Sequence, residues 1–203
     1  MRYGPDQSEK TRQKVVSIAA AQMRKHGPDK VGVAAVMSRA GLTHGGFYAH
    51  FPSKDDLIAA AIDRMFEEAS GFFRTWTEGR SRPDALRSYI NSYVSKAHRD
   101  QPATGCPIAA LSSDIHRQGR KARAAFDAGL ARLLDAIASL LPDADERAKR
   151  ALAVSMLSEM TGAVAAARAV SNPQLSDQIL SGARRALRAR AGLPALPHEG
   201  TST

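Results

Sequence analysis

The chain has 203 residues, enough to bury one sizeable core or two small ones. It carries 29 Lys and Arg against 20 Asp and Glu, a net charge of +9, which suits a polyanion-binding surface or a merely basic solvated one. One cysteine excludes an intrachain disulfide and fits a reducing compartment. No apolar run follows Arg2 as in a secretion signal, and none approaches the ~18–20 residues of a membrane span. A cytoplasmic chain without membrane contact is expected.

In chain order, residues 1–7 are polar and read as loose. A helix is predicted over 8–26, stopping at Gly27-Pro28. Two short helices follow within 32–51. Ser53 is placed to cap the next helix, with Asp55 and Asp56 in its first turn, where the helix dipole favours acids. That helix is expected to continue to about Gly79. Further helices are predicted over 83–99, 107–116, 119–141, 143–171 and 174–191, with breaks at Gln101-Pro102 to Pro107, at Pro142 and at Asn172-Pro173. No stretch alternates with the period of a strand. Residues 192–203 hold Pro, Gly, Ser and Thr and read as a disordered tail.

The segment Ala34 to Lys54 has the layout of a helix-turn-helix. Val33, Val36 and Met37 fall on one helical face, and Ala40 is small where two helices must approach. Gly41 suits the left-handed position that ends a helix, and Thr43 suits the cap of the next. Phe47 and Phe51, four apart, are predicted to face the core. That leaves His44, Gly45 and Tyr48 facing outward, on the helix that such motifs lay in the DNA major groove. Residues 1–51 hold eight cations (positions 2, 10, 12, 14, 24, 25, 30 and 39) against three acids (6, 9 and 29), a net of +5 in a quarter of the chain. Beside the motif, that charge supports nucleic-acid binding. His44 and His50 are six apart, the wrong spacing for a shared metal on a helix.

Residues 8–58 resemble the N-terminal domain of the TetR family of transcriptional regulators. The resemblance rests on Thr11-Arg12, Ala19-Ala20, Gly27, Ala40-Gly41-Leu42-Thr43, Gly46-Phe47-Tyr48, His50-Phe51, Lys54 and Leu57. Gly32 departs from it, standing where the family usually has a Ser or Thr cap. The resemblance implies an all-α, TetR-like fold: a three-helix head over 1–52 (motif 32–51) and a larger helical effector-binding and dimerisation domain over 53–191. It implies a homodimeric regulator, most often a repressor, that binds a palindromic double-stranded operator and is released by a small-molecule effector. Thr43, His44, Gly45, Tyr48, His50 and Lys54 are then the expected DNA contacts.

For the effector, Phe66, Phe73, Trp76, Tyr89 and Tyr93, with Cys106, Met156 and Met160, are candidate pocket residues. Asp114, His116 or Glu159 are candidate polar anchors. Ordinary core packing is the competing reading of the same side chains. Cys106 precedes Pro107, a residue suited to the first helical position, where free N–H groups lower a thiol pKa. Gly105-Cys106, Leu111-Ser112 and Phe126 to Gly129 resemble a TetR subgroup containing an electrophile-sensing repressor. A thiol switch at Cys106 is therefore the alternative to a reversible ligand, and a packed, inert Cys the alternative to both. Small residues in the last two helices suggest close helix pairing. By the resemblance, Gly162, Ala163, Ala166, Ile179, Ala183 and Leu187 are expected at the dimer interface. There is no phosphate loop, metal cluster or nucleophile–base pair in the sequence, so neither enzyme activity nor a cofactor is expected.

Overall fold

A computed structural model describes residues 5–193; the tail expected from 192 lies almost wholly outside them. Among the described residues there are nine α-helices and no strand: α1 (Pro5–His26), α2 (Val33–Ala40), α3 (Lys54–Thr77), α4 (Arg82–Tyr93), α5 (Lys96–Asp100), α6 (Pro107–Leu111), α7 (Arg120–Leu140), α8 (Glu146–Ala169) and α9 (Pro173–Arg190). The first helix begins at Pro5, inside the segment expected to be loose. Its opening turn carries an exposed Asp6–Lys10 pair at i,i+4 (2.7 Å).

The helices gather into two compact units. One comprises residues 1–70 and 102–131, the other 71–101 and 132–203, so α3 and α7 each pass from one to the other. The head expected over 1–52 thus lies within a unit that also takes in 53–70 and 102–131.

The first unit buries one stripe of α1 (Val15, Val16, Ala19, Ala20, Met23), Val36, Met37 and Ala40 of α2, and Leu57, Ile58, Ala61, Ile62, Met65 and Phe66 of α3. Phe66 meets Phe126 of α7 edge to face, centroids 5.5 Å apart. Gly129 makes that approach possible, since a Cβ there would lie 2.1 Å from the Phe66 ring. Arg24 is buried in this core. Its guanidinium pairs with Glu68 at 2.8 Å and donates to the carbonyls of Met65 and Ala103, both at 3.4 Å.

The second unit packs α8 and α9 against each other and buries Tyr89, Ile90 and Tyr93 of α4 with Met156, Met160 and Val164 of α8. The single helix expected over 83–99 is in fact two. The Ser95 hydroxyl accepts from the His98 amide (3.1 Å), the usual way a serine diverts a helix into a new cap. The carbonyls freed by the break are answered: Arg184 donates to Val94 O (2.6 Å), and His98 Nδ1 lies 2.7 Å from Tyr93 O. Arg168 donates to the carbonyls of His98 (2.6 Å) and Arg99 (3.0 Å) at the end of α5. The helix expected over 107–116 also stops early, α6 ending at Leu111 before a 3-10 turn at Ile115–Arg117.

Candidate nucleic-acid interface

The turn of the motif follows from two glycine-dependent facts. Gly41 has φ 77°, the left-handed region that favours glycine. Its N–H donates to Ser38 O (3.0 Å) and that of Leu42 to Met37 O (2.9 Å), the paired closure that satisfies the last carbonyls of a helix. The neighbouring Gly45 and Gly46 are weak helix formers, and His44–Ala49 forms a 3-10 helix instead of the expected α-helix. Thr43 sits at its cap position, but its side chain makes no capping hydrogen bond; its backbone carbonyl accepts from Gly46 N–H (3.1 Å).

Inside that turn, Phe47 and Phe51 are both 1% exposed and stack with centroids 5.5 Å apart. Tyr48 leans edge-on against Phe47 (5.3 Å) yet stays 70% exposed. Thr43, His44 and Gly45 are exposed, His50 is half-buried, and Lys54 is exposed at the first residue of α3. Ser53 caps that helix as expected, its Oγ accepting from Asp56 N–H at 3.2 Å. The six expected contact residues therefore lie within one turn and the helix start after it, with the aromatic anchor beneath.

Two supports were not read from the sequence. Lys14 of α1 donates to Ala40 O at the end of α2 (2.9 Å), where a cation answers the negative end of the helix dipole. Arg12 lies over the Phe51 ring at 5.1 Å. Their basicity was the available signal. Lys30, Arg39 and Lys54 are exposed and make no ion pair among the described residues.

The expected effector residues divide between the units. Phe73, Trp76, Tyr89 and Tyr93 form a continuous aromatic row in the second unit, with centroid distances of 4.9, 6.0 and 5.8 Å for 73–89, 76–89 and 89–93. Tyr93 Oη lies 3.2 Å from Thr161 Oγ1. Met156 and Met160 are fully buried in that same unit. Phe66 and Cys106 belong to the first unit. Cys106 stands at the N-cap position of the five-residue α6, makes no side-chain capping bond there, and is 8% exposed. A cleft of about 550 Å³ in the second unit is lined by Gly79, Arg80, Ser81, Asp84, Arg87, Ser88, Asn91 and Ser92, and by none of the expected residues. Of the proposed anchors, Glu159 is held by Arg190 and Asp114 by Arg117, while His116 is exposed.

Of the expected dimer residues, Gly162 and Ala166 are exposed and Ile179 and Ala183 half-buried. Ala163 (8% exposed) and Leu187 (0%) are instead packed inside the unit, because they fall on the inward faces of α8 and α9. Among the described residues, no helix is long and apolar enough to cross a membrane, and no cluster of three or more His, Cys, Asp or Glu is placed to hold a metal.

A short exposed turn, seated by a buried aromatic pair on a small helical core and followed by an exposed lysine at the next helix start, defines the class: a helix-turn-helix DNA-binding regulator. Residues 15–61 match the family profile described as bacterial regulatory proteins, tetR family. Residues 83–179 match that of the transcriptional regulator LmrA/YxaF-like C-terminal domain. The chain belongs to the TetR family of transcriptional regulators.

Among curated proteins it is similar to an uncharacterized HTH-type transcriptional regulator of Mycobacterium tuberculosis, 29% identical over 102 residues. That match covers 50% of this chain and 51% of the relative, so it spans about half the length of each. Among solved structures, it is similar to a TetR-family regulator from Agrobacterium tumefaciens (19% identity, TM-score 0.75, covering 91% of this chain and 98% of that one). The reduced form of NemR from E. coli is also similar (18%, 0.77, 92% and 100%), as is a TetR regulator from Chloroflexus aurantiacus (24%, 0.72, 89% and 95%). At these identities the likeness concerns the fold.

Proposed function

We propose that this chain is a cytoplasmic homodimeric repressor that holds a palindromic operator through Thr43, His44, Gly45, Tyr48, His50 and Lys54, and leaves it when a small molecule binds. The observation that carries the reading is the opposite placement of neighbours in one turn. Phe47 and Phe51 are buried, while Tyr48 is 70% exposed between them and His44 and Lys54 are exposed at either end. Lys54 supplies a point charge for a phosphate, and His44 and Tyr48 face outward where base edges or sugar–phosphate would lie. Dimerisation suits the exposed row of small residues on α8 at Gly162 and Ala166, with Ile179 and Ala183 of α9. The aromatic row Phe73, Trp76, Tyr89 and Tyr93 offers the apolar surface for an effector. Such a ligand acts only by preferring the state that does not bind DNA. A reversible ligand is favoured over thiol chemistry because Cys106 is 8% exposed.

The test is binding to a duplex selected from a random-sequence pool. Lys54→Ala is expected to weaken all duplexes alike and to lower the salt slope by about 0.9, and His44→Ala to change which base pairs are preferred. Ala166→Arg, which places a charge on the small-residue row, is expected to give monomers in sedimentation and to abolish tight binding. Failure of the wild type to select any duplex would overturn the reading.

A further inference from the structure

We propose that the DNA interface extends beyond the helix-turn-helix to the start of α7, where Arg120 and Arg123 bind phosphates flanking each half-site. The proposal rests on the operator-binding reading above and adds a second contact patch to it.

Four cations occupy seven residues here: Arg117, Arg120, Lys121 and Arg123. Two are occupied by the protein. Lys121 pairs with Asp56 at 2.6 Å, and Arg117 pairs with Asp114 and lies 3.9 Å from Asp29. Arg120 and Arg123 are exposed and make no ion pair among the described residues. They sit one helical turn apart and line a surface cleft of about 440 Å³ with Ala124 and Asp127. Two guanidinium forks so spaced can each take a phosphate bidentately. Asp127 is the one acid of that lining, and it opposes an anion.

The position of this patch is what points to DNA rather than to a free anion. Its first turn is locked onto the first turn of α3 within the same compact unit. Gly119 approaches Asp55 so closely that a Cβ would lie 2.6 Å from Asp55 Oδ2, and Lys121 holds Asp56. Asp55 and Asp56 directly follow Lys54, the residue that meets a phosphate in the proposed complex. Both acids at the start of α3 are thereby engaged with the start of α7, which ties the helix that begins at Lys54 to the one that carries Arg120 and Arg123. Each DNA strand presents a phosphate about every 3.4 Å of axis, so a backbone engaged at Lys54 continues past its half-site as a row of further charges.

The experiment compares the full chain with Arg120→Gln/Arg123→Gln on a duplex selected from a random pool, presented either bare or with about ten further base pairs on each side. Two lost phosphate contacts lower the salt slope by about 1.8 on the flanked duplex. The wild-type advantage is then expected to shrink roughly tenfold between 50 and 200 mM salt. On the bare duplex the two proteins should bind alike. Arg120→Lys/Arg123→Lys should retain most of the flank effect, and Asp127→Asn should strengthen it. Lys54→Ala should weaken binding to both duplexes. Equal binding of wild type and the double glutamine variant on flanked DNA, with Lys54→Ala still impaired, overturns the inference and leaves the operator reading standing. Selection of no duplex by the wild type overturns both. Matching thermal midpoints for wild type and variants establish that folding is not what changed.

Discussion

The cations of the turn region and those of the second unit are used in opposite ways. Around the helix-turn-helix, Lys30, Arg39 and Lys54 stand exposed with no ion pair among the described residues. In the second unit, arginines are engaged. Arg82 holds Asp143, Arg99 bridges Asp100 and Asp177, Arg190 holds Glu159, and Arg168 and Arg184 serve backbone carbonyls. Basic side chains therefore mostly answer acids and helix ends in the second unit, while around the turn Lys14 does so and Lys30, Arg39 and Lys54 remain available to a polyanion. Net charge alone does not separate the two uses; partners do.

The sharpest way to break this comparison is a cation of the first unit that behaves like those of the second. Arg24 has a side chain only 3% exposed, and removing it takes the guanidinium from two carbonyls and leaves Glu68 with Arg64 alone. Arg24→Ala is expected to lower unfolding stability by about 3 kcal/mol in chemical denaturation, chiefly through the two carbonyls, an effect on folding before any on DNA.

Next in size is an acid-sensitive residue within α5. Burial pushes the His98 pKa down to about 4, outweighing the upward pull of Tyr93 O, and the nearby Arg168 charge adds a smaller downward push. The native state thus keeps His98 neutral, while the unfolded chain takes up a proton near 6.5. Stability from this group is complete above about pH 6.5 and is lost as pH falls toward 4, by at most about 3 kcal/mol. His98→Gln should flatten the pH dependence of the melting temperature across that window. Wild-type and variant curves that remain parallel from pH 7 to 4 would remove His98 from the account.

Arg168→Met is expected to cost about 2 kcal/mol, since it strips charged donors from two carbonyls at the end of α5. The smallest expected effect lies at the turn. Lys54→Ala should leave stability unchanged within about 0.5 kcal/mol while weakening DNA binding, and a large loss of stability would place Lys54 among the structural cations.

What was legible in the sequence was what local chemistry determines. Gly41, the 33/36/37 spacing, the Phe47–Phe51 pair and the Ser53 cap each act within four residues, and each is found in place; only Val33 is less buried than its spacing suggested. The 3-10 form of His44–Ala49 was missed because paired glycines remove helix preference without naming its replacement. The break at Val94–Ser95 was missed although Ser95 offered a local cap, because the Val94 carbonyl it frees is answered by Arg184, 90 residues away. Ala163 and Leu187 are expected at the dimer interface by resemblance, yet small or apolar side chains suit either face of a helix. Which face turns inward is decided by the partner helix.

The Arg24 arrangement also has a consequence in time. Its carbonyl partner at Ala103 lies 79 residues downstream. At the roughly 5–20 residues per second of synthesis, the newly made N-terminal segment waits about 4–16 s for that partner to be made. The turn that carries the expected DNA contacts is thus synthesised before that partner. The unit that carries it closes only after residues 102–131 have returned to it.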